Sequence, residues 1–499
     1  MATIYYTSDM HSYLYPTDYI QGERANTGYF SLSRHFDPDC LIIDGGDVLQ
    51  GSPLARQVYK DGFVDFPQAE TMNAAGVKVF VPGNHDFNFG YDVFKQFVHH
   101  LDAQLVCANL RDVQGNLAVA PWHIHVGHDG VRVGVVGVVT DYVNIWEDRE
   151  NLGSLQILDC VEEASSALKA LGEQAVDYTV CVYHGGYEDS HARTSYRENR
   201  ANELASLGFD VLLTAHQHTK VEPYYIGNCL TMQCMSNALY YGKVQLEKTR
   251  IRASLHHCGE GEIFPNSTVS AVAEKYLPLQ RKILLSLDRE IGRTQVAFTD
   301  EGKLESAVHG SSLADFFNKI QLDHSGADIS CVSLFNHPRS LGPVVKAGDV
   351  LAAYPFPNTL VVLEVSGWTL KEALERCASY FTVVDGVIQI SKEFLVPKVE
   401  HYNYDYYQNL EYGFAIGNPL GQRVVKLSYK GEDLLKHPEK VLTLVMNNYR
   451  ATGTGGYEVF LECPVLRSEK TEVQELLFAA FSEERMIPVP PSSSFFVRP

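Results

Sequence analysis

The chain's 499 residues are 45% hydrophobic and 20% charged. That is enough for two or three domains with ample cores, and it excludes disorder as the default state. Its 41 basic against 61 acidic residues leave a formal charge of −20, with no long basic run to offset it. A nucleic-acid polymer is therefore excluded as the main partner, while a local positive site such as a bound metal could still attract a small anion.

The opening "MATIYYTSDMHS" has neither the basic n-region nor the apolar h-region of a signal peptide. No run of about 18 apolar residues marks a transmembrane helix, so no membrane partner is expected. The ten cysteines are scattered and form no C-x-x-C. Reduced thiols in a cytoplasmic protein are the expectation, although an exported protein freed of its leader would read the same.

From residue 2 to about residue 250, short apolar runs alternate with helical segments. The runs are "ATIYYTS", "CLIIDGG", "VKVFVPGN", "AQLVCANL", "VRVGVVGVVT", "YTVCVYHGG" and "VLLTAHQH". Rich in Val, Ile, Tyr and Leu and ending in Gly or polar groups, they read as buried strands. Between them, "CVEEASSALKALGEQ" and "RENRANELASLGF" repeat apolar residues at three and four, as amphipathic helices do. The alternation predicts an α/β sheet covered by helices. Residues 268–292 read as helix on both sides of Pro278 and serve as an interdomain linker. Beyond Arg293, "SLADFFNKIQ" and "TLKEALERCASYF" read as helices and "TLVVLEVSG" and "KVLTLVMNN" as strands. The proline-rich tail "IPVPPSSSFFVRP" reads as irregular.

The chemistry stands at the ends of the N-terminal strands. The first run leads to Asp9 and His11, the second to Asp47, and the third to Asn84, His85 and Asp86. "YTVCVYHGG" carries His184, and "VLLTAHQH" carries His216 and His218. In open α/β sheets, ligands bind beyond the carboxyl ends of strands, where loops converge. A lone His or Asp there is usually a turn former or a cap. His99, His100, His123, His125, His128, His191, His256 and His257 match no motif and keep that reading. Five strands ending in imidazole, carboxylate or carboxamide together point to a site. Such ligands without cysteine suit Mn, Fe or Zn, and seven of them with one bridging carboxylate fit two ions.

These residues also match a known family. Asp9-x-His11, Gly45-Gly46-Asp47, Gly83-Asn84-His85-Asp86, His184 and His216-x-His218 occur in the order of the calcineurin-like metallophosphoesterases. In the second half, "SLFNHPRSLGP", "YPFPNTLVVLEVSGWTLKEALE" and "NNYRATGTGGYE" resemble the C-terminal domain of the bacterial two-domain 5'-nucleotidase family. That family includes the 2',3'-cyclic-nucleotide 2'-phosphodiesterase/3'-nucleotidases. The resemblance implies an α/β fold: a metallophosphoesterase β-sandwich flanked by helices over residues 1–265 and a helical linker over 266–292. A second α/β (α+β) substrate-binding domain would follow over 293–499. One divalent ion (Mn, Zn, Fe or similar) would be held by Asp9, His11, Asp47 and His218. A second would be held by Asp47, Asn84, His184 and His216, and a hydroxide between them would attack phosphorus. His85 would face the phosphoryl group rather than a metal.

In the C-terminal domain the resemblance implies a nucleobase stacked between Phe356 and Tyr449. It also implies polar contacts from Asn336 and Arg339, although the family's glycines between those two are absent here. "ATGTGGYE" lacks the Lys-Ser/Thr of a P-loop and reads as shaping the backbone beside Tyr449. Asn88 marks a branch: 5'-nucleotidase members carry Asp there, paired with the catalytic histidine. The sequence "FNFG", with "HYNYDYY" and "GNPLGQRV", resembles the cyclic phosphodiesterase/3'-nucleotidase branch. A carboxamide at position 88 can orient His85 but cannot stabilise an imidazolium with full charge. The expected substrates are 2',3'-cyclic nucleotides and 3'-nucleotides. The alternatives are a 5'-nucleotidase, which could extend to nucleotide sugars or dinucleotides, and a catalytically inactive nucleotide-binding protein.

Overall fold

The structure, a computed structural model, describes residues 2–499 apart from 20–21, 38, 61, 63–64, 189–197, 248–249, 260, 262, 265, 357, 397 and 484–485. Its contacts divide the chain into two units, Met1–Leu284 and Leu285–Pro499.

The first unit holds two six-stranded sheets. One runs in the order Arg250–His257, Tyr240–Glu247, Ala2–Thr7, Leu41–Asp44, Val79–Phe80, Gln104–Leu105. The other runs Val221–Ile226, Cys229–Gln233, Val211–Thr214, Tyr178–His184, Arg132–Val139, Trp122–Val126. Alternate residues of both, including Ile4, Tyr6, Leu41 and Ile43 from one and Val133, Val135, Val180 and Val182 from the other, form one buried cluster. The two sheets therefore make a sandwich. The intervening residues Val136, Val138, Cys181 and Tyr183 pack on the opposite face with Ala164, Leu171 and Leu204 from helices Cys160–Gly172 and Ala201–Ala205. Burial on both faces is why these strands read as unbroken apolar runs.

Ala2–Thr7, Leu41–Asp44 and Val79–Phe80 are parallel neighbours, as are Arg132–Val139, Tyr178–His184 and Val211–Thr214. Their carboxyl ends therefore share one edge of each sheet. There the Tyr6 hydroxyl donates to the Thr214 carbonyl at 2.9 Å, tying one sheet to the other. Two expected strands shrink to Val79–Phe80 and Gln104–Leu105, although Val81 and Val106 amides still extend the pairing at 2.9 Å each.

One helix, Ser267–Leu287, contains Pro278, whose missing amide leaves the Glu274 carbonyl without its helical donor. Side chains up to Gln280 bond it to the first unit: Tyr15 Oη donates to the Ala273 carbonyl at 2.6 Å, and Tyr19 Oη to Gln280 Oε1 at 2.8 Å.

The second unit is built on a five-stranded sheet in the order Asp405–Gln408, Ile329–Ser333, Val441–Asn447, Thr359–Ser366, Val465–Glu472. Its tail corrects the sequence reading. Ser494–Arg498 is a strand pairing in parallel with Glu411–Ala415, and Met486–Ile487 pairs with Glu290–Thr294. The edge that accepts the tail lies about 80 residues earlier in the chain, where Tyr412 stacks on Phe495 at 5.1 Å, and no local pattern announces it. All ten cysteines are free. Among the described residues no helix is long and apolar enough to cross a membrane.

Candidate metal centre

The loops that leave the parallel strands are unusually constrained. Asp9, His11, Ser12, Asp47, His216 and His218 all have φ between 48° and 73°, six of the twelve non-glycine residues with positive φ among those described. Each such conformation costs on the order of 1–3 kcal/mol and persists only where its surroundings dictate it. Here backbone bonds between loops do so. Asp9 N donates to Gly46 O at 2.8 Å, His11 N to Asp47 O at 2.8 Å, and Asn237 N to Asp9 O at 2.7 Å.

The third loop, with its short helix Asn84–Phe87, sits against Asp47 so closely that a Cβ on Gly83 would fall 2.2 Å from Asp47 Oδ1. Glycine is required there by approach, not by turn geometry. Asp86 is fully buried and accepts from the amides of Gly83, Asp47, Val48 and Leu49 at 2.8–3.0 Å. Its carboxylate holds the turn that carries Asp47.

Asp9, His11, Asp47 and His218 present ligand atoms that all lie within 4.8 Å of one another. So do Asp47, His184 and His216, which makes Asp47 common to both groups. Hydrogen bonds on the far side of each ring set which nitrogen is available. His184 Nδ1 donates to the Gly45 carbonyl at 2.6 Å, His11 Nδ1 to the Gln50 carbonyl at 2.7 Å, and His216 Nε2 to Glu198 Oε1 at 2.8 Å. These partners are acceptors, so the opposite nitrogen of each neutral ring carries a lone pair. His184 Nε2 then faces Asp47 Oδ2 at 3.2 Å, both buried and without a hydrogen bond. His216 Nδ1 faces Asn84 Oδ1 at 2.9 Å, and His11 Nε2 faces His218 Nε2 at 2.9 Å. Asp9 Oδ2 is a further buried oxygen without a hydrogen bond.

Lone pairs aimed at one another in a buried pocket require positive charge between them. The protonation balance reports the same demand. Burial alone would push the His184 imidazole down, yet the Asp47 carboxylate raises it to about 10. Burial works to raise Asp47, and the imidazoles of His184, His85 and His11 hold it well below the usual carboxylate range. Imidazole, carboxylate and carboxamide donors without thiolate suit a borderline divalent cation. The residues present fit a metal.

His85 belongs to neither group. Its amide donates to Asp47 Oδ1 at 2.8 Å, its ring lies 5.5 Å from that of His11, and its Nδ1 is 2.6 Å from Asn88 Oδ1. None of the other described histidines that match no motif joins either group, and His191 lies outside the described residues. Three supporting residues escaped the sequence reading. Glu198 orients His216, Trp146 stacks on the His216 ring at 5.2 Å, and Glu147 accepts from Asn88 Nδ2 at 2.6 Å. They come from segments without strand or motif signal, so only their position in space marks them.

In the second unit, both ends of the Asn336 amide bond the loop at 399–401: Nδ2 donates to Val399 O at 2.8 Å and Oδ1 accepts from His401 N at 3.0 Å. Arg339 Nε lies 3.0 Å from Asp349 Oδ1. Phe356 is 38% exposed, with its ring 4.9 Å from that of Phe335. Tyr449, in helix Asn448–Ala451, accepts at its carbonyl from the hydroxyls of Thr452 and Thr454 at 2.7 and 3.0 Å. The glycine-rich stretch beside it is held by arginines. Arg450, fully buried, pairs with Asp405 at 2.9 Å, and Arg376 donates to the Gly455 carbonyl at 2.8 Å. A Cβ on Gly455 would stand 2.1 Å from Asn403 Oδ1, so this glycine too serves close packing.

The model for calcineurin-like phosphoesterases matches residues 2–220, and that for the 5'-nucleotidase C-terminal domain matches residues 290–462. The trifunctional nucleotide phosphoesterase protein YfkN of Bacillus subtilis is 22% identical over 96% of this chain, which spans only 38% of that relative's length. A 2',3'-cyclic-nucleotide 2'-phosphodiesterase/3'-nucleotidase of Salmonella typhimurium is 23% identical, over 90% of this chain and 80% of its own. Among solved structures, a Staphylococcus aureus protein provisionally assigned as a 5'-nucleotidase, in complex with alpha-ketoglutarate, superposes with a TM-score of 0.87. It is 29% identical over 99% of both chains.

Proposed function

This chain belongs to the family that joins a calcineurin-like phosphoesterase domain to a 5'-nucleotidase C-terminal domain, and from that membership we infer a two-metal hydrolase of nucleotide phosphoesters. Asp9, His11, Asp47 and His218 would hold one ion, and Asp47, Asn84, His184 and His216 the other. Bound there, divalent ions supply Lewis acidity toward the phosphoryl oxygens and toward a water nucleophile. The observation that carries the reading is Asp47 shared between two ligand groups, its Oδ2 opposed at 3.2 Å by the lone pair of His184. The chain's own contribution is to hold these ligands in one protonation state and to present His85 Nε2 to the leaving oxygen.

The preferred substrates are 2',3'-cyclic nucleotides and 3'-nucleotides. Asn88 in "FNFG" supports this, as do relatives of that name covering 90% or more of the chain at 22–23% identity. A 5'-nucleotidase is the second reading, supported by the Staphylococcus aureus neighbour at 29% identity. One metal-loaded sample assayed on 2',3'-cyclic AMP, 3'-AMP, 5'-AMP, a dinucleotide and a nucleotide sugar separates them. The cyclic and 3' substrates are expected to lead in kcat/KM. Preference for 5'-AMP establishes the second reading, and tight nucleotide binding without turnover reduces the protein to a binding module.

The second unit supplies base recognition through Phe356 and Tyr449. Tyr449→Ala removes a stacking partner worth about 1–3 kcal/mol, so KM for nucleotides rises roughly 5- to 150-fold. A small artificial diester such as bis(p-nitrophenyl) phosphate is expected to be turned over nearly as before. Equal losses on both substrates would assign Tyr449 to the scaffold.

A further inference from the structure

Asn88 stands directly beside His85, and its other partner places a carboxylate behind the carboxamide. Asn88 Nδ2 donates to Glu147 Oε2 at 2.6 Å, while Asn88 Oδ1 stands 2.6 Å from His85 Nδ1. The other oxygen of Glu147 accepts from Asn151 Nδ2 at 2.7 Å and from the Asp148 amide at 3.0 Å. The carboxylate is thus anchored by its own segment, and its hydrogen-bond route to the histidine runs through the carboxamide.

We propose that Glu147 is a positioning residue for His85, acting through Asn88 to hold the ring with its Nδ1–H on the carboxamide oxygen and Nε2 toward the phosphoryl group. The proposal rests on the reading of His85 as that facing group. The logic is one of donors and acceptors. An amide alone can present either end to a neighbour, since its two ends are nearly the same shape. A carboxylate only accepts, so Glu147 takes the NH₂ end of Asn88 and turns the oxygen toward His85. An oxygen also only accepts, so His85 Nδ1 must stay an N–H, and Nε2 is left free to take up a proton and pass it to the leaving oxygen. Without Glu147 the Asn88 amide is free to flip and offer N–H to Nδ1, which moves the ring proton to Nε2. The negative charge of Glu147 is kept one amide away from the histidine. It acts on the ring through the polarised amide bond.

A reciprocal swap distinguishes this relay from mere packing. Glu147→Gln is expected to lower kcat about tenfold, a fraction of the 10²–10⁴ that a positioned acid or base contributes. KM and metal content are expected to stay unchanged. In an Asn88→Asp background the sign reverses. There the introduced carboxylate accepts directly from His85 and meets Glu147 as a like charge, so adding Glu147→Gln relieves the repulsion and raises kcat. The same loss in both backgrounds would assign Glu147 to the scaffold and overturn the proposal. A second readout is independent of turnover: ¹⁵N-histidine spectra, with His85 assigned by its absence in His85→Gln. Native protein is expected to show the Nδ1–H tautomer, and Glu147→Ala a shift toward Nε2–H. An unchanged tautomer in that variant overturns the proposal. If native protein hydrolyses none of the nucleotides above, the functional reading fails while the spectra still decide the relay.

Discussion

Asp47→Asn is expected to abolish hydrolysis and to lower metal content. Asp47 is the one residue common to both ligand groups, so its loss removes a donor from each. The substitution also rewrites the electrostatics. An amide NH₂ in place of Oδ2 would donate to the His184 Nε2 lone pair now opposed to it at 3.2 Å. That bond satisfies the pocket without any cation, so metal affinity falls while the apo protein keeps its fold. Lewis-acid charge is worth several kcal/mol in such sites, so the rate should drop by about 10³-fold or more. Elemental analysis and initial rates on one preparation check both halves. Chelation of the native protein is expected to reproduce the loss and added Mn²⁺ to reverse it. Full activity in excess chelator, or undiminished metal in Asp47→Asn, would sink the two-metal reading.

The second large effect is expected at His85, with the opposite metal signature. His85→Ala lowers kcat by about 10²–10⁴-fold, the usual scale for a general acid or base, and leaves metal content unchanged. The reason lies in which part of the residue holds the frame. The His85 amide donates to Asp47 Oδ1 at 2.8 Å, and alanine keeps that amide. The ring belongs to neither ligand group, so its removal takes chemistry and leaves the ligands in place. The loss should be greatest for substrates with poor leaving groups, since an activated aryl leaving group needs little protonation. Loss of metal with the ring would show that the histidine is a ligand after all.

Much of the catalytic unit was legible from local pattern. Strands buried on both faces leave continuous apolar runs, and a ligand loop at a strand end leaves polar groups directly after such a run. The stretch "GNHDFNFGYD" illustrates where that legibility stops. Four of its polar residues qualify by chemistry for the site, but their roles differ. Asn84 faces His216, His85 lies beside His11, and Asp86 is taken up by four amides of the Asp47 turn. Asn88 bridges His85 to Glu147, 59 residues later in the chain. Tail strand Ser494–Arg498 was hidden for the same reason, because its pairing edge at Glu411–Ala415 is distant in sequence.

Composition, period and spacing were enough to name the candidate ligands and the strands that deliver them, because both are properties of neighbouring residues. Which nitrogen each histidine offers is not such a property. It depends on the carbonyls of Gly45 and Gln50 and the carboxylate of Glu198, groups that reach the rings only when the sandwich closes. The same holds for the negative charge behind His85. Asn88 reads as a carboxylate lost, and only the folded chain brings Glu147 within 2.6 Å of its amide. Hydrogen-bond direction is decided by partners, and these partners meet in space rather than along the chain.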